Sequence, residues 1–330
     1  MRVSCREKTE PGIRHTLFTE GDEMASSKKA IPWIIAGAVG LVAILLWKPT
    51  VLIYGVQRAG LYATIALPMG LAEGILHIVN LAHGELLMVA AYITYSLAQA
   101  LGLDPLLALF PAMIAMAIVG YLLYQLTIRK ALKGPELNQL ILTFGIGIAL
   151  SQIITLIYTS RTRKLHLDYV SSSLTIGQTS FGVWDFTFVA LAILMTIGIR
   201  LFLSRTKLGK AAVAVGQNPR GAAIVGIDVQ KTYSLVFTAS VVLLGIAGSF
   251  FLTRQSIFPG VGSPFTMKSF SLIAMAGVGS ISGVLYSSLA LGIAEAIING
   301  IPGMSGWSDI VFFLIIIITI AVRASRTRQS

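Results

Sequence analysis

The chain has a single cysteine, Cys5, in 330 residues, so no intrachain disulfide can form. Charge is also scarce. Only 12% of residues are charged, and acids are the rarer sign, with 14 Asp and Glu against 25 Lys and Arg. A soluble domain carries about twice that share of charge. The sequence holds no H-E-x-x-H pair and no glycine loop ending in Lys-Ser or Lys-Thr. It therefore offers neither a zincin site nor a nucleotide-binding loop of its own. No nucleophile–base pairing has sequence support, and no cofactor is implied.

What fills the chain is apolar. Hydrophobic residues make up 55% of it, and the mean hydropathy is +0.81. Apolar runs of roughly 17–25 residues recur, the length that crosses about 30 Å of hydrocarbon. A membrane β-barrel would alternate in segments of about ten residues instead. The reading is an all-α, polytopic membrane bundle of about 8–10 spanning helices, some broken or re-entrant. The net charge of +11 is then no nucleic-acid signature, because excess Lys and Arg collect in cytoplasmic loops.

In order, residues 1–30 read as a polar cytosolic tail without the pattern of a signal peptide. Residues 31–322 read as the transmembrane domain and 323–330 as a basic cytosolic tail. Spans are expected at 31–47, 51–77, 84–101, 105–124, 137–158, 185–203, 232–252 and 310–322. Residues 159–184 read as a polar loop and 259–268 as a Gly/Pro connection. The stretch 270–300 is too long for one upright span and carries Gly277, Gly279 and Gly283. Breaking it near 279–283 gives two limbs, the first a half-helix, and ten passes in all. Eighteen of the 25 basic residues then share the side of both termini, which makes that side cytosolic. Lys48, Arg161, Arg163, Lys164, Arg254 and Lys268 fall outside, with Arg58 near the outer interface.

Two stretches are unusual. Residues 204–231 form the longest polar interval between apolar runs. Inside it Asn218 suits an N-cap, Pro219 the first helical position and Gly226 the residue past the end. Arg220 lies on this short helix, and Ala222, Ala223, Ile224 and Val225 give it an apolar patch fit for docking in the cytosol. The second stretch, IVNLAHGE, sets Asn80, His83 and Glu85 between apolar runs, with Glu73 and His77 just upstream. Ionisable groups at membrane depth face protein or a watery cavity. These five are candidate pathway or gating groups. Glu73 and His77, four apart, share a helical face and could pair. A metal site lacks further ligands, and an interfacial break capped by polar side chains accounts for the cluster better than a metal site or a proton relay does. Gly279-x-x-x-Gly283 reads as a helix-packing motif.

The segments NLAHGELLMVAAY (80–92), RKALKG (129–134), SRTKLGKAAVAVGQNPRGAAIVGI (204–227) and AGVGSISGVLYSSLALGIAEAI (276–297) occur in that order. Together they resemble the permease subunits of branched-chain amino acid ABC importers, over roughly residues 51–323. The resemblance implies an all-α permease that pairs with a second, related permease subunit. It also implies two cytosolic ATPase subunits, an extracytoplasmic solute-binding protein, and a role for 204–231 in ATPase docking. The chain departs from the pattern at Arg220, where the family commonly has an acid, and at Glu73 and His77, usually small or apolar. Urea and short-amide importers share much of the pattern. An ion-coupled secondary transporter using Glu73, His77, His83 or Glu85 is a rival from another class.

Overall fold

The computed structural model describes residues 49–132, 134–176, 179–310 and 312–317. The expected span 31–47, both terminal tails and Lys133 lie outside these residues. Among the described residues, six helices are long and apolar enough to cross a membrane. They are α1 (Pro49–Leu76), α3 (Pro105–Leu123), α4 (Glu136–Tyr158), α5 (Phe186–Arg205), α8 (Val229–Arg254) and α10 (Ile281–Asn299). Helix α3 runs on through a π-helical turn, Tyr124–Ile128, to Ala131. Two further helices accompany them: α2 (His83–Leu101), and α9 (Ser263–Ala276), which rises only about 21 Å.

The polar interval after α5 is not a loop. It folds into α6 (Lys207–Gln217) and α7 (Pro219–Ile224). The loop 159–184 also departs from expectation, because residues 173–176 (β1) and 179–182 (β2) pair as an antiparallel hairpin. The supposed connection at 259–268 is half helical, since α9 begins at Ser263. The break expected near 279–283 is present, at Gly277–Ser280 between α9 and α10.

Helix α1 is the most enclosed of the six, whereas α4 is the most open. Lipid tails are as apolar as leucine, so helices in a bilayer associate by close packing of small residues. Here α1 meets α10 in that way: a Cβ on Gly292 would stand 2.6 Å from the Gly55 carbonyl oxygen. The outward face of α3 carries Leu107, Phe110, Ile114, Ile118 and Tyr121, all exposed and spaced three or four apart. That stripe suits contact with lipid.

Candidate functional site

The sequence IVNLAHGE builds the break between α1 and α2. Pro68 sits inside α1, where it lacks an N–H and crowds the preceding turn. The carbonyl of Ile65, in that turn, receives the His83 side chain, with Nε2 at 2.8 Å. A carbonyl only accepts, so His83 carries its proton on Nε2. Asn80 closes the break by accepting from the Ala82 N–H at 3.0 Å, an Asx turn. His83 and Glu85 follow, both buried in the first turn of α2.

The start of α2 lies against the start of α9. The Gly84 N–H donates to Thr266 Oγ1 at 2.8 Å. A Cβ on Gly84 would lie 1.9 Å from the Gly262 oxygen, and one on Gly262 would lie 1.8 Å from the Gly84 oxygen. Only glycine fits at either position. Two interrupted segments thus meet backbone to backbone. Irregular backbone of this kind is tolerated at membrane depth only where protein shelters it.

The pairing that Glu73 and His77 could make is not a direct bond, because His77 is engaged elsewhere. Helix α1 ends at Leu76, and His77 follows with φ of 53°. Its Nε2 donates to the Gly216 carbonyl at 2.9 Å. Glu73 is buried, and one oxygen each of Glu73 and Glu85 finds no partner among the described residues. The end of α1 therefore touches α6 directly. A Cβ on Gly216 would meet Ile75 Cα at 3.3 Å, and one on Gly74 would meet Gly279 Cα at 2.8 Å. Three elements converge here: α1, α6 and the α9–α10 break. Gly279, in the break, packs on Gly74, while Gly283, on α10, donates its N–H to Ser280 Oγ and lies against Ala276 of α9. The two glycines do not form one packing face.

Helix α7 has the ends that its sequence announced. Asn218 Oδ1 accepts from the Gly221 N–H at 2.9 Å, and Pro219 is the first helical residue. At the far end Ile227 N–H donates to Ala222 O and Gly226 N–H to Ala223 O, at 3.0 and 3.1 Å. That pair of bonds is a Schellman motif, and Gly226 has the φ of 85° it requires. The patch is smaller than expected. Ala222 faces the core and is 5% exposed, while Ile224 and Val225 are 86% and 76% exposed. Arg220 is exposed on the first turn. Helix α6 was missed, although Thr206 announces it by accepting from the Gly209 N–H at 2.9 Å. Ala212 and Val215, three apart, form its buried side.

A second unforeseen feature lies toward the other end of α1. Arg58 Nη1 donates to Glu295 Oε1 at 2.6 Å, and Tyr62 donates to the other oxygen. Lys268 Nζ stands 3.8 Å from that oxygen and 3.0 Å from Asp309. This network joins α1, α9 and α10. Glu295 is 4% exposed, and a lone acid in the apolar run 281–299 was the available signal. Among the described residues, no three His, Cys, Asp or Glu side chains converge as a metal site.

The family described as "Branched-chain amino acid transport system / permease component" matches residues 51–320. The chain belongs to that family. It is a family of transport permeases rather than enzymes, and the chain is a multi-pass protein of the cell membrane. It is 27% identical to the high-affinity branched-chain amino acid transport system permease protein BraD of Pseudomonas aeruginosa, over 82% of this chain and 92% of that one. It is likewise 27% identical to the Escherichia coli K12 permease protein LivH, over 81% and 91% of the two chains. A probable LivH of Methanocaldococcus jannaschii is 28% identical over 73% and 78%. No solved structure matches.

Proposed function

We propose that this permease forms part of an ATP-driven importer and passes leucine, isoleucine and valine across the membrane. In this reading it works beside a second, related permease. Two cytosolic ATPase subunits drive it from its basic face, and an extracytoplasmic binding protein delivers the solute on the other side. The names of its relatives support the solute class. The excess of basic residues around α6, α7 and the α3–α4 connection supports a cytosolic position for that face.

The exposure of Ile224 and Val225 on the capped helix α7 carries the reading. Two large apolar side chains held outward on a basic face are best explained by a partner that covers them. Arg220 beside them calls for an acid on that partner, because a cation opposes the positive end of a helix. Movement of the ATPases would reach α7, then α6, and then the end of α1 through the His77–Gly216 contact. From there it would pass to the Gly277–Ser280 break and the Gly84–Gly262 crossing.

The test is transport by the reconstituted complex, with and without ATP, across leucine, isoleucine, valine and urea. ATP-dependent uptake of the three amino acids, with urea excluded, is expected. If this chain alone concentrates solute in proteoliposomes under a proton or sodium gradient, the ion-coupled reading replaces this one. Orientation has its own check. An impermeant thiol reagent applied to intact cells should label a cysteine at 163 and spare one at 220, in a Cys5→Ser background.

A further inference from the structure

A cavity of about 1030 Å³ opens between α3, α5 and α8. Its walls are apolar, with Ile199 and Phe202 on α5 facing Leu235, Ala239 and Val242 on α8. It is open rather than filled: a Cβ on Gly198, also in the wall, would meet nothing within 4 Å. Its mouth is basic. Arg129, on the short helix beyond the π turn of α3, and Lys231, in the first turn of α8, both line it. Arg205 ends α5 three residues beyond Phe202, on the same helical face. The single acid lining the cavity, Asp228, is already engaged. Its Oδ1 accepts from the Lys231 N–H at 3.0 Å, and its Oδ2 stands 3.2 Å from Lys231 Nζ. Those bonds hold its carboxyl below the ordinary range.

We propose that this groove seats one anionic phospholipid, with an acyl chain between α5 and α8 and the phosphate at Arg129 and Lys231. Length argues for a lipid over a partner's helix. From Lys231 to Val242 the helix rises about 16 Å, roughly half of the 30 Å hydrocarbon layer. The groove is one leaflet deep, with its charge at one end only, and a spanning helix would need a cleft through both leaflets. Charge argues for an anionic headgroup, since basic pockets between helices on this side of a membrane recognise such lipids. The π turn places the mouth. Tyr124 Oη donates to the Gln230 carbonyl at 3.2 Å, which pins α3 to α8 there. Arg129 Nη1 donates to Gln125 Oε1 at 3.4 Å, and Gln125 also lines the cavity. None of this depends on which solute the permease carries.

The experiment is native mass spectrometry of the whole complex, extracted from bilayers of phosphatidylglycerol mixed with phosphatidylcholine. One phosphatidylglycerol per chain should survive activation that strips phosphatidylcholine. The double variant Arg129→Gln/Lys231→Gln changes two exposed side chains and should fold normally. It should lower that retention about thirtyfold, the effect of two charges near an anionic surface. Gly198→Phe should expel the lipid without touching charge. Equal retention of the two lipids, or retention unchanged in both variants, would overturn the proposal. So would efficient crosslinking of a cysteine at 235 to another polypeptide in the assembled complex, because a protein would then occupy the groove.

Discussion

Toward its Arg58 end, α1 is held by charge, and at its His77 end it is held by backbone. The first contact joins α1 to α9 and α10 through a buried carboxylate, Glu295, that takes a guanidinium, a phenol and a nearby ammonium. The second joins α1 to α6 and the α9–α10 break through one imidazole on a carbonyl and glycines in near contact. An ionic cluster in apolar surroundings resists rearrangement, since separating its members strands a charge. A contact made of glycine surfaces and one hydrogen bond presents a far smaller barrier. Under the function proposed above, the Arg58 end would anchor α1 and the His77 end would transmit movement to it. A third contact, the Gly84–Gly262 crossing, joins the starts of α2 and α9.

The largest effect is expected at that crossing. Gly84→Ala puts a methyl 1.9 Å from a backbone oxygen, which no side-chain rotation can relieve. The cost should exceed the roughly 1–3 kcal/mol typical of overpacking, and folded protein should vanish from the membrane fraction. Gly145→Ala is the control, because its new methyl meets nothing within 4 Å. Wild-type amounts of folded Gly84→Ala protein would mean that α2 and α9 can separate freely at this contact.

Next comes the charged end. Glu295→Gln keeps the shape and removes the charge, leaving Arg58 and Lys268 short of a partner. The loss should approach, from below, the roughly 3–5 kcal/mol of a broken buried pair. Arg58 is half exposed and Lys268 keeps Asp309, which lessens it. Thermal unfolding in detergent measures this, and ATPase co-purification at low temperature should be unchanged. Lys231→Gln, on an exposed pair, is the comparison and should shift the midpoint little. Equal shifts in the two variants would remove the distinction between anchoring and surface charge.

Six of the expected spans and the caps of α7 were legible in the sequence because both depend on neighbours in the chain. Hydropathy over twenty residues locates a span, and Asn218, Pro219 and Gly226 act on bonds within their own helix. The Arg58–Glu295 pair was only half legible: a lone acid in an apolar run marks Glu295, but 237 residues separate the members and nothing local names Arg58 as its partner. His77 illustrates the same limit. Spacing placed it on the face of Glu73, but α1 ends one residue earlier, and the ring follows the α6 carbonyl instead. Ala222 was counted with the exposed patch because its type fits either environment, and only tertiary packing turns it inward. Helix α6 carried a readable cap at Thr206, obscured by the basic residues around it.

At the other end, changes on α7 should cost function without costing the fold. Ala223→Glu places a carboxylate beside Ile224 in a surface that must exclude water when covered. Gly226→Val forces a branched residue to a φ of 85°, at about 1–2 kcal/mol. Neither position is buried, so insertion and unfolding temperature should stay close to wild type. ATPase co-purification should fall at least tenfold and uptake should stop. Full ATPase recovery with normal uptake in both variants would place the docking surface elsewhere, and the His77 end would then have nothing to transmit.

The smallest effect sharpens the comparison most. Asn218→Ala removes one hydrogen bond, from the Gly221 N–H, at about 1 kcal/mol. The core is untouched, since Asn218 is exposed. A six-residue helix has little stability of its own, so that loss should appear as fraying of α7 and a roughly fivefold weaker hold on the ATPases. Asn218→Asp keeps the acceptor and adds a charge favoured at a helix start, so it should match or exceed wild type. Titrating purified ATPase against the permease in nanodiscs distinguishes the three. If the alanine variant binds as tightly as wild type, α7 is held by the burial of Ala222 and its Schellman turn rather than by its cap. The backbone end of α1 would then be connected to a surface fixed from below, and transmission would have to begin at α6 instead.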